Sequence, residues 1–141
     1  MEIYLDTSVL VAIYVPEPHT ENILAYLDEN ITKIFISRLT ETEFHSALAI
    51  KLRTKQLTAK QVTEVTNVFN ENLETFIYEK IFLSDNAFQQ AINFLTIHKT
   101  NLRTLDALHL ASANTISANL LTSDQDLAKA ADYFNIPCKL L

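Results

Sequence analysis

Four carboxylates, Asp6, Glu43, Asp106 and Asp124, each stand beside a short apolar run. None has a Lys or Arg within three residues, except Asp106, which has Arg103. Carboxylates gathered in a partly buried crevice without cations must either take up protons or bind metal. Oxygen ligands with no His or Cys companion favour Mg2+ or Mn2+. Each acid also has a structural role open to it. Asp6 could end a strand and begin a turn. Glu43 could be the N3 partner of Thr40 in a capping box. Asp106 could complement a helix dipole, and Asp124 could cap a helix after Ser123. Asp126 competes with Asp124, and Glu41 with Glu43; periodicity leaves both choices open.

Helical and extended stretches alternate along the chain. Glu2 to Leu5 reads as a strand, followed by a helix that Ser8 can cap and Pro16 would end. Pro18 suits the first turn of a second helix carrying Ile23, Leu24 and Leu27. Lys33 to Ser37 reads as a second strand. Leu39 to Arg53 and Ala59 to Phe76 have helical spacing, the latter with Val62, Val65, Phe69 and Phe76 on one face and Thr58 with Gln61 as a capping box. Ile77 to Leu83 is a third strand. Ser84 can cap a helix carrying Phe88, Ala91, Ile92 and Leu95, and Thr104 another running to about Ala118. A strand at Asn119 to Thr122, a short helix at Ser123 to Ala131 and a strand at Pro137 to Leu141 complete the pattern.

Strands separated by helices imply parallel pairing with helices on both faces, a three-layer α/β/α sandwich with a central parallel sheet. Open parallel sheets bind ligands at the carboxyl ends of their strands. Asp6 and Asp124 follow strands directly and can face one crevice there. Asp106 shares a helical stripe with Leu110 and Ala113, and Glu43 falls between Ala47 and Ile50, so both acids border packed surface.

Composition excludes several classes. The 141 residues match one domain, 1–141, with 48% hydrophobic residues to build a core. There is no glycine, against ordinary usage of about 7%, so neither GxGxxG nor GxxxxGK[ST] phosphate loops can occur. The longest apolar run, Val9 to Val15, is far short of the ~20 residues a bilayer span needs, and no signal peptide opens the chain. One cysteine, Cys138, permits no internal disulfide. A cytoplasmic location is expected. The net charge of −6 opposes non-specific affinity for nucleic acid, so positive charge has to come from metal ions or a local patch. Lys51, Arg53, Lys55 and Lys60 form a basic cluster that either contacts phosphates or is a solvated turn. Arg103 either touches a phosphate or pairs with an acid. His109, one turn from Asp106, reads as a satisfied structural residue.

The motifs resemble those of PIN-domain proteins, and within them the VapC-type ribonuclease toxins of prokaryotic toxin–antitoxin pairs. The resemblance lies in strand-Asp6-Thr7-Ser8, in Thr40-Glu41-Thr42-Glu43-Phe44 with Ala47-Leu48 behind, in Asp106-Ala107-Leu108-His109-Leu110-Ala111, and in Leu121-Thr122-Ser123-Asp124. It spans essentially the whole chain, in order. It implies that Asp6, Glu43, Asp106 and Asp124 hold Mg2+ or Mn2+ and cut RNA with an activated water, and it selects Glu43 over Glu41. It places Ser8 near the metal and leaves Asp126 outside the core set. It further implies a cognate antitoxin and a homodimer. Asp6→Ala is expected to abolish cleavage and leave the fold intact by relieving carboxylate repulsion. An inactive PIN-like binding module and another Mg2+-dependent hydrolase, such as a phosphatase, are the alternatives. The second would require an Asp-x-Asp pair, where Ser8 stands here.

Overall fold

The computed structural model describes residues 1–29 and 31–141. Strands β1 (Glu2–Leu5), β2 (Lys33–Ser37), β3 (Glu79–Ile81), β4 (Asn119–Thr122) and β5 (Cys138–Leu140) form one sheet of order β3-β2-β1-β4-β5. Every pairing is parallel. The helices are α1 (Thr7–Tyr14), α2 (Thr20–Leu27), α3 (Arg38–Arg53), α4 (Ala59–Glu74), α5 (Asp85–Thr96), α6 (Thr104–Thr115) and α7 (Gln125–Tyr133). The expected α/β/α sandwich is what forms.

Side-chain alternation along the strands splits the core in two. Ile3, Leu5, Ile36 and Leu121 pack with Val9, Leu10, Phe44, Leu48 and Phe69 on one face. Tyr4, Phe35 and Leu120 face the other way, onto Leu110, Ala113, Leu127 and Ala131. Parallel sheets are covered on both faces because their crossover helices fall there. The chain builds β1, β2 and β3 outward in one direction and then returns to add β4 and β5 on the other side of β1. The order therefore reverses between β1 and β4, and at such a switch point a crevice opens at the carboxyl ends of the strands.

Local chemistry departs from expectation in ways that bear on the crevice. Asp6, not Ser8, caps α1; its carboxylate accepts from the Val9 amide at 3.1 Å, and Ser8 donates to it at 2.6 Å. An anion at a helix N-terminus answers both the unpaired amides and the helix dipole. Thr40 forms its capping box with Ser37, so Glu43 has no part in it. Helix α2 starts at Thr20, beyond Pro18, and α6 is preceded by Arg103 rather than capped by Thr104. The Thr58–Gln61 capping box and the Ser84 cap form as expected.

Phe76 lies past the end of α4, not on its apolar stripe, at φ 58° and 88% exposed. Helices α3 to α7 all end on a left-handed residue, and in a glycine-free chain Lys55, Phe76, His98, Ser117 and Asn135 take those positions. On α5, Ala87 and Ala91 are buried while Phe88 and Ile92 are about half exposed. The alanines let α5 approach α6 closely and turn the larger residues outward.

Candidate functional site

The carboxyl ends of β1 and β4 deliver Asp6 and Asp124. The backbone amide of Asp6 donates to the Leu121 carbonyl at 3.2 Å, which ties the two strand ends together. A cleft of about 570 Å3 opens there, lined by Glu43, Asn101, Arg103, Asp106, Asp124 and Asp126 among others. Three of the four sequence-selected acids thus share one cleft, and Asp126 joins them. Glu41 is engaged elsewhere, 3.0 Å from Lys80 and 3.9 Å from Arg38, while Glu43 lines the cleft.

Asp6 does not line the cleft; it is 4% exposed. One oxygen accepts from Ser8 and Val9, and the other from Thr122 at 2.5 Å. Burial pushes its carboxyl above the usual carboxylate range, against the His109 charge and these hydrogen bonds. Asp6 therefore has a structural role, as the cap of α1, beside the cleft. This corrects the expectation for Asp6→Ala. That change removes a helix cap, costing about 1 kcal/mol, and strands the Thr122 hydroxyl.

Asp106, in the first turn of α6, also has its pKa raised, by burial and then by the charges of Asp124 and, to a smaller extent, Asp6. Asp124 caps α7, its Oδ1 accepting from Asp126 at 2.8 Å and from Leu127 at 3.2 Å. Ser8 reaches across to β4, accepting from the Ser123 amide and hydroxyl at 3.1 Å each. Arg103 is exposed and, among the described residues, pairs with no carboxylate.

Glu43 is held by groups that sequence reading missed. Its Oε1 accepts from the Thr7 hydroxyl at 2.9 Å and meets His109 Nε2 at 2.5 Å. The other ring nitrogen, His109 Nδ1, lies 2.8 Å from the Tyr4 hydroxyl, which is in turn 2.8 Å from Ser37 Oγ. Glu43 Oε2 has no hydrogen-bond partner among the described residues, so one oxygen is fixed while the other stays available. The Glu43 pKa is lowered, because the His109 bond and charge and the Thr7 hydroxyl outweigh burial. Burial alone would push the imidazole down. The Tyr4 oxygen, the Glu43 hydrogen bond and the Asp6 and Glu43 charges overcome it and hold His109 up at about 10. A protonated imidazole fits the geometry: Nε2 donates to Glu43 and Nδ1 to Tyr4, leaving Tyr4 to donate to Ser37. The available signal was the i, i+3 spacing of Asp106 and His109, with Tyr4 alternating onto the same face of β1.

This pairing has a pH signature. The His109 contribution to stability is fully present below its unfolded value of 6.5 and is lost as pH rises toward about 10. The Glu43 contribution runs the other way, lost as pH falls below 4.5. Melting temperature followed from pH 6.5 to 10 should fall, and His109→Gln should flatten that fall.

The donor set fits a hard divalent cation. It is anionic and oxygen-only, and two members, Asp6 and Asp106, have pKa values raised chiefly by burial in spite of the His109 charge. Among the described residues no three His, Cys, Asp or Glu side chains converge closely enough to hold an ion as they stand. Glu43 and Asp124 each spend one oxygen on hydrogen bonds and Asp6 spends both, and a carboxylate oxygen that accepts a hydrogen bond retains a further lone pair for a ligand.

The family model for the PIN domain matches residues 3–133, and the chain belongs to the PIN-domain family. No curated protein matches it in sequence. Among solved structures it is similar to FitAcB from Neisseria gonorrhoeae, at 24% identity and a TM-score of 0.70, covering 96% of this chain and 95% of that one. VapBC2 from Rickettsia felis, bound to a DNA fragment from its promoter, gives 19% identity and a TM-score of 0.71 over 99% and 98%. Mycobacterium tuberculosis VapC20, described as a sarcin-ricin loop cleaving toxin, gives 16% identity and a TM-score of 0.69 over 91% and 94%. At these identities the likeness is one of fold. No helix among the described residues is long and apolar enough to cross a membrane.

Proposed function

We propose that this chain is a Mg2+- or Mn2+-dependent endoribonuclease, the toxin of a type II toxin–antitoxin pair. The observation that carries the reading is the shared cleft of Glu43, Asp106 and Asp124 beside buried Asp6, in a chain of the PIN-domain family. The toxin–antitoxin proteins among its structural neighbours support the same class.

Asp6, Glu43, Asp106 and Asp124 would hold the cation. When bound, it supplies Lewis-acid chemistry, neutralising charge on the scissile phosphate and acidifying the attacking water. The protein does the rest. Asp106 and Asp124 keep an anionic cleft open at the switch point. Thr7 and His109 fix one oxygen of Glu43. Ser8 and Thr122 orient Asp6, and the Arg103 guanidinium at the cleft rim, which pairs with no carboxylate among the described residues, is placed to meet a substrate phosphate. A cognate antitoxin and a homodimer belong to the same reading. The exposed side chains Phe82, Phe88 and Ile92 offer an apolar surface for the homodimer.

The test is cleavage of RNA by pure protein with Mn2+ and with chelator. Wild-type protein should cut only with the ion. Asp6→Asn, which keeps the shape of the cap, should remain folded and inactive. RNA cleavage by Asp6→Asn at the wild-type rate would refute the assignment. Binding of a partner protein with no cleavage under any divalent ion would favour an inactive PIN-like module instead.

A further inference from the structure

The chain carries eleven Lys and Arg residues against seventeen acids, so where its uncompensated positive charge sits decides how it could hold a polyanion. Lys33, Arg38, Lys51, Lys60 and Lys80 each lie within ion-pair distance of a carboxylate. Lys139 lies over the Tyr26 ring. Arg53, Lys55, Lys99, Arg103 and Lys129 have neither kind of partner among the described residues. The basic cluster seen in the sequence is therefore half spent, since Lys51 pairs with Glu17 and Lys60 with Glu64.

Two of these five cations, Lys99 and Lys129, line one groove, and a third, Arg103, lines the cleft beside it. The groove, of about 300 Å3, adjoins the acidic cleft, sharing Asn101 and Asp126 with it. Lys99 and Asn101, from the segment between α5 and α6, help line it. So do Asp126, Lys129 and Tyr133 of α7. On α7 these three fall at i, i+3 and i+7, one stripe of the helix, while Leu127, Ala130 and Ala131 bury the stripe that anchors it. Tyr133 is 50% exposed. Asp132 also lines the groove, yet neither it nor Asp126 pairs with Lys99 or Lys129.

Resting on the ribonuclease reading above, we propose that this groove binds the single-stranded RNA flanking the scissile phosphate, with Lys99 and Lys129 on phosphates and Tyr133 stacked on a base. Cations along a track with an exposed aromatic face are what single strands need, because every base offers a π-face and every linkage a charge. A chain of carboxylates such as polyglutamate would use the cations but has no planar group for Tyr133. Continuity with the cleft carries a strand from the groove past Arg103 to Asp106 and Asp124. A net-acidic protein can then hold RNA through a short local track beside its metal site.

The experiment measures fluorescence anisotropy of a single-stranded oligoribonucleotide, roughly eight nucleotides long, in Ca2+ to neutralise the carboxylates. Cleavage in Mn2+ and Mn2+ affinity by calorimetry are followed in parallel. Lys99→Gln with Lys129→Gln should weaken binding and flatten the slope of log affinity against log salt by about 0.7 for each phosphate no longer neutralised. Tyr133→Ala should weaken binding roughly 5- to 150-fold. Both should leave Mn2+ affinity and melting temperature unchanged. Arg53→Gln with Lys55→Gln should bind as wild type. Wild-type-like RNA affinity and salt slope in the groove variants would overturn the proposal. So would wild-type protein that cuts RNA in Mn2+ but fails to bind the oligonucleotide, or polyglutamate competing as well as RNA. If wild-type protein neither binds nor cuts RNA, the ribonuclease reading fails together with the groove.

Discussion

Asp106→Asn is expected to lose RNA cleavage by about a thousandfold or more, ~4 kcal/mol of transition-state stabilisation, and yet to melt higher than wild type in chelator. Both effects have one origin. The Asp106 carboxylate is held partly buried, with the charges of Asp124 and Asp6 nearby, and its pKa is raised for those reasons. A carboxyl with a raised folded pKa is a stability cost that appears as pH rises through that pKa. The neutral amide removes the cost and, with it, the charge that would hold the cation.

Adding ion should reverse the order. At a Mg2+ concentration about 100 times its Kd, wild-type protein should gain about 2.7 kcal/mol, roughly 8 °C for a chain of this size, while Asp106→Asn gains little. Thermal denaturation of both proteins with and without Mg2+ checks this. A variant that melts below wild type in chelator would mean that Asp106 is a structural acid. An ion-induced shift equal in both would place the cation elsewhere. Ion affinity should also weaken with acid at pH values above the ordinary aspartate value of 3.8, since Asp6 and Asp106 both hold their protons more tightly than that.

His109→Leu should have the largest effect on stability. His109 is 3% exposed, and its two nitrogens meet Glu43 and Tyr4 at 2.5 and 2.8 Å. Removing one partner of a buried ion pair typically costs about 3–5 kcal/mol, because the other charge stays behind unpaired. Here the Glu43 side chain keeps 23% exposure, so solvent offsets part of the loss and the lower end, about 3 kcal/mol, is expected. Denaturant unfolding measures it. Glu43→Leu combined with His109→Leu should be less destabilised than the sum of the two, since they share one interaction. A His109→Leu cost within about 0.5 kcal/mol of zero would show that the pair contributes nothing to the fold.

What the sequence determined by itself is the architecture, and it nominated the acids. Strand and helix alternate with clear periodicity, and burial of apolar side chains on both sheet faces leaves a parallel sandwich as the outcome. Asp6 and Asp124 were legible because a residue that follows a parallel strand is carried to the sheet's binding edge whatever else it does. The resemblance to PIN-domain motifs added Glu43 and Asp106, which lie on helices and whose direction depends on packing.

Tertiary structure decided how each acid is held. Local spacing cannot show that Asp6 caps α1 while accepting from Thr122 of β4, 116 residues away. Nor can it show that Glu43 and His109, 66 residues apart, meet at 2.5 Å. Such pairings exist only once the strand order has reversed between β1 and β4 and brought α3 and α6 to the same end of the sheet. The same closure decided which lysines are free, since Lys51 finds Glu17 and Lys80 finds Glu41 across the fold, while Lys99 and Lys129 find no acid among the described residues. Side-chain periodicity is set by the backbone, residue by residue. Pairing between distant charges is set by packing, and it is there that Asp6 and Asp106 acquired raised pKa values, Glu43 a lowered one, and the four acids their different partners.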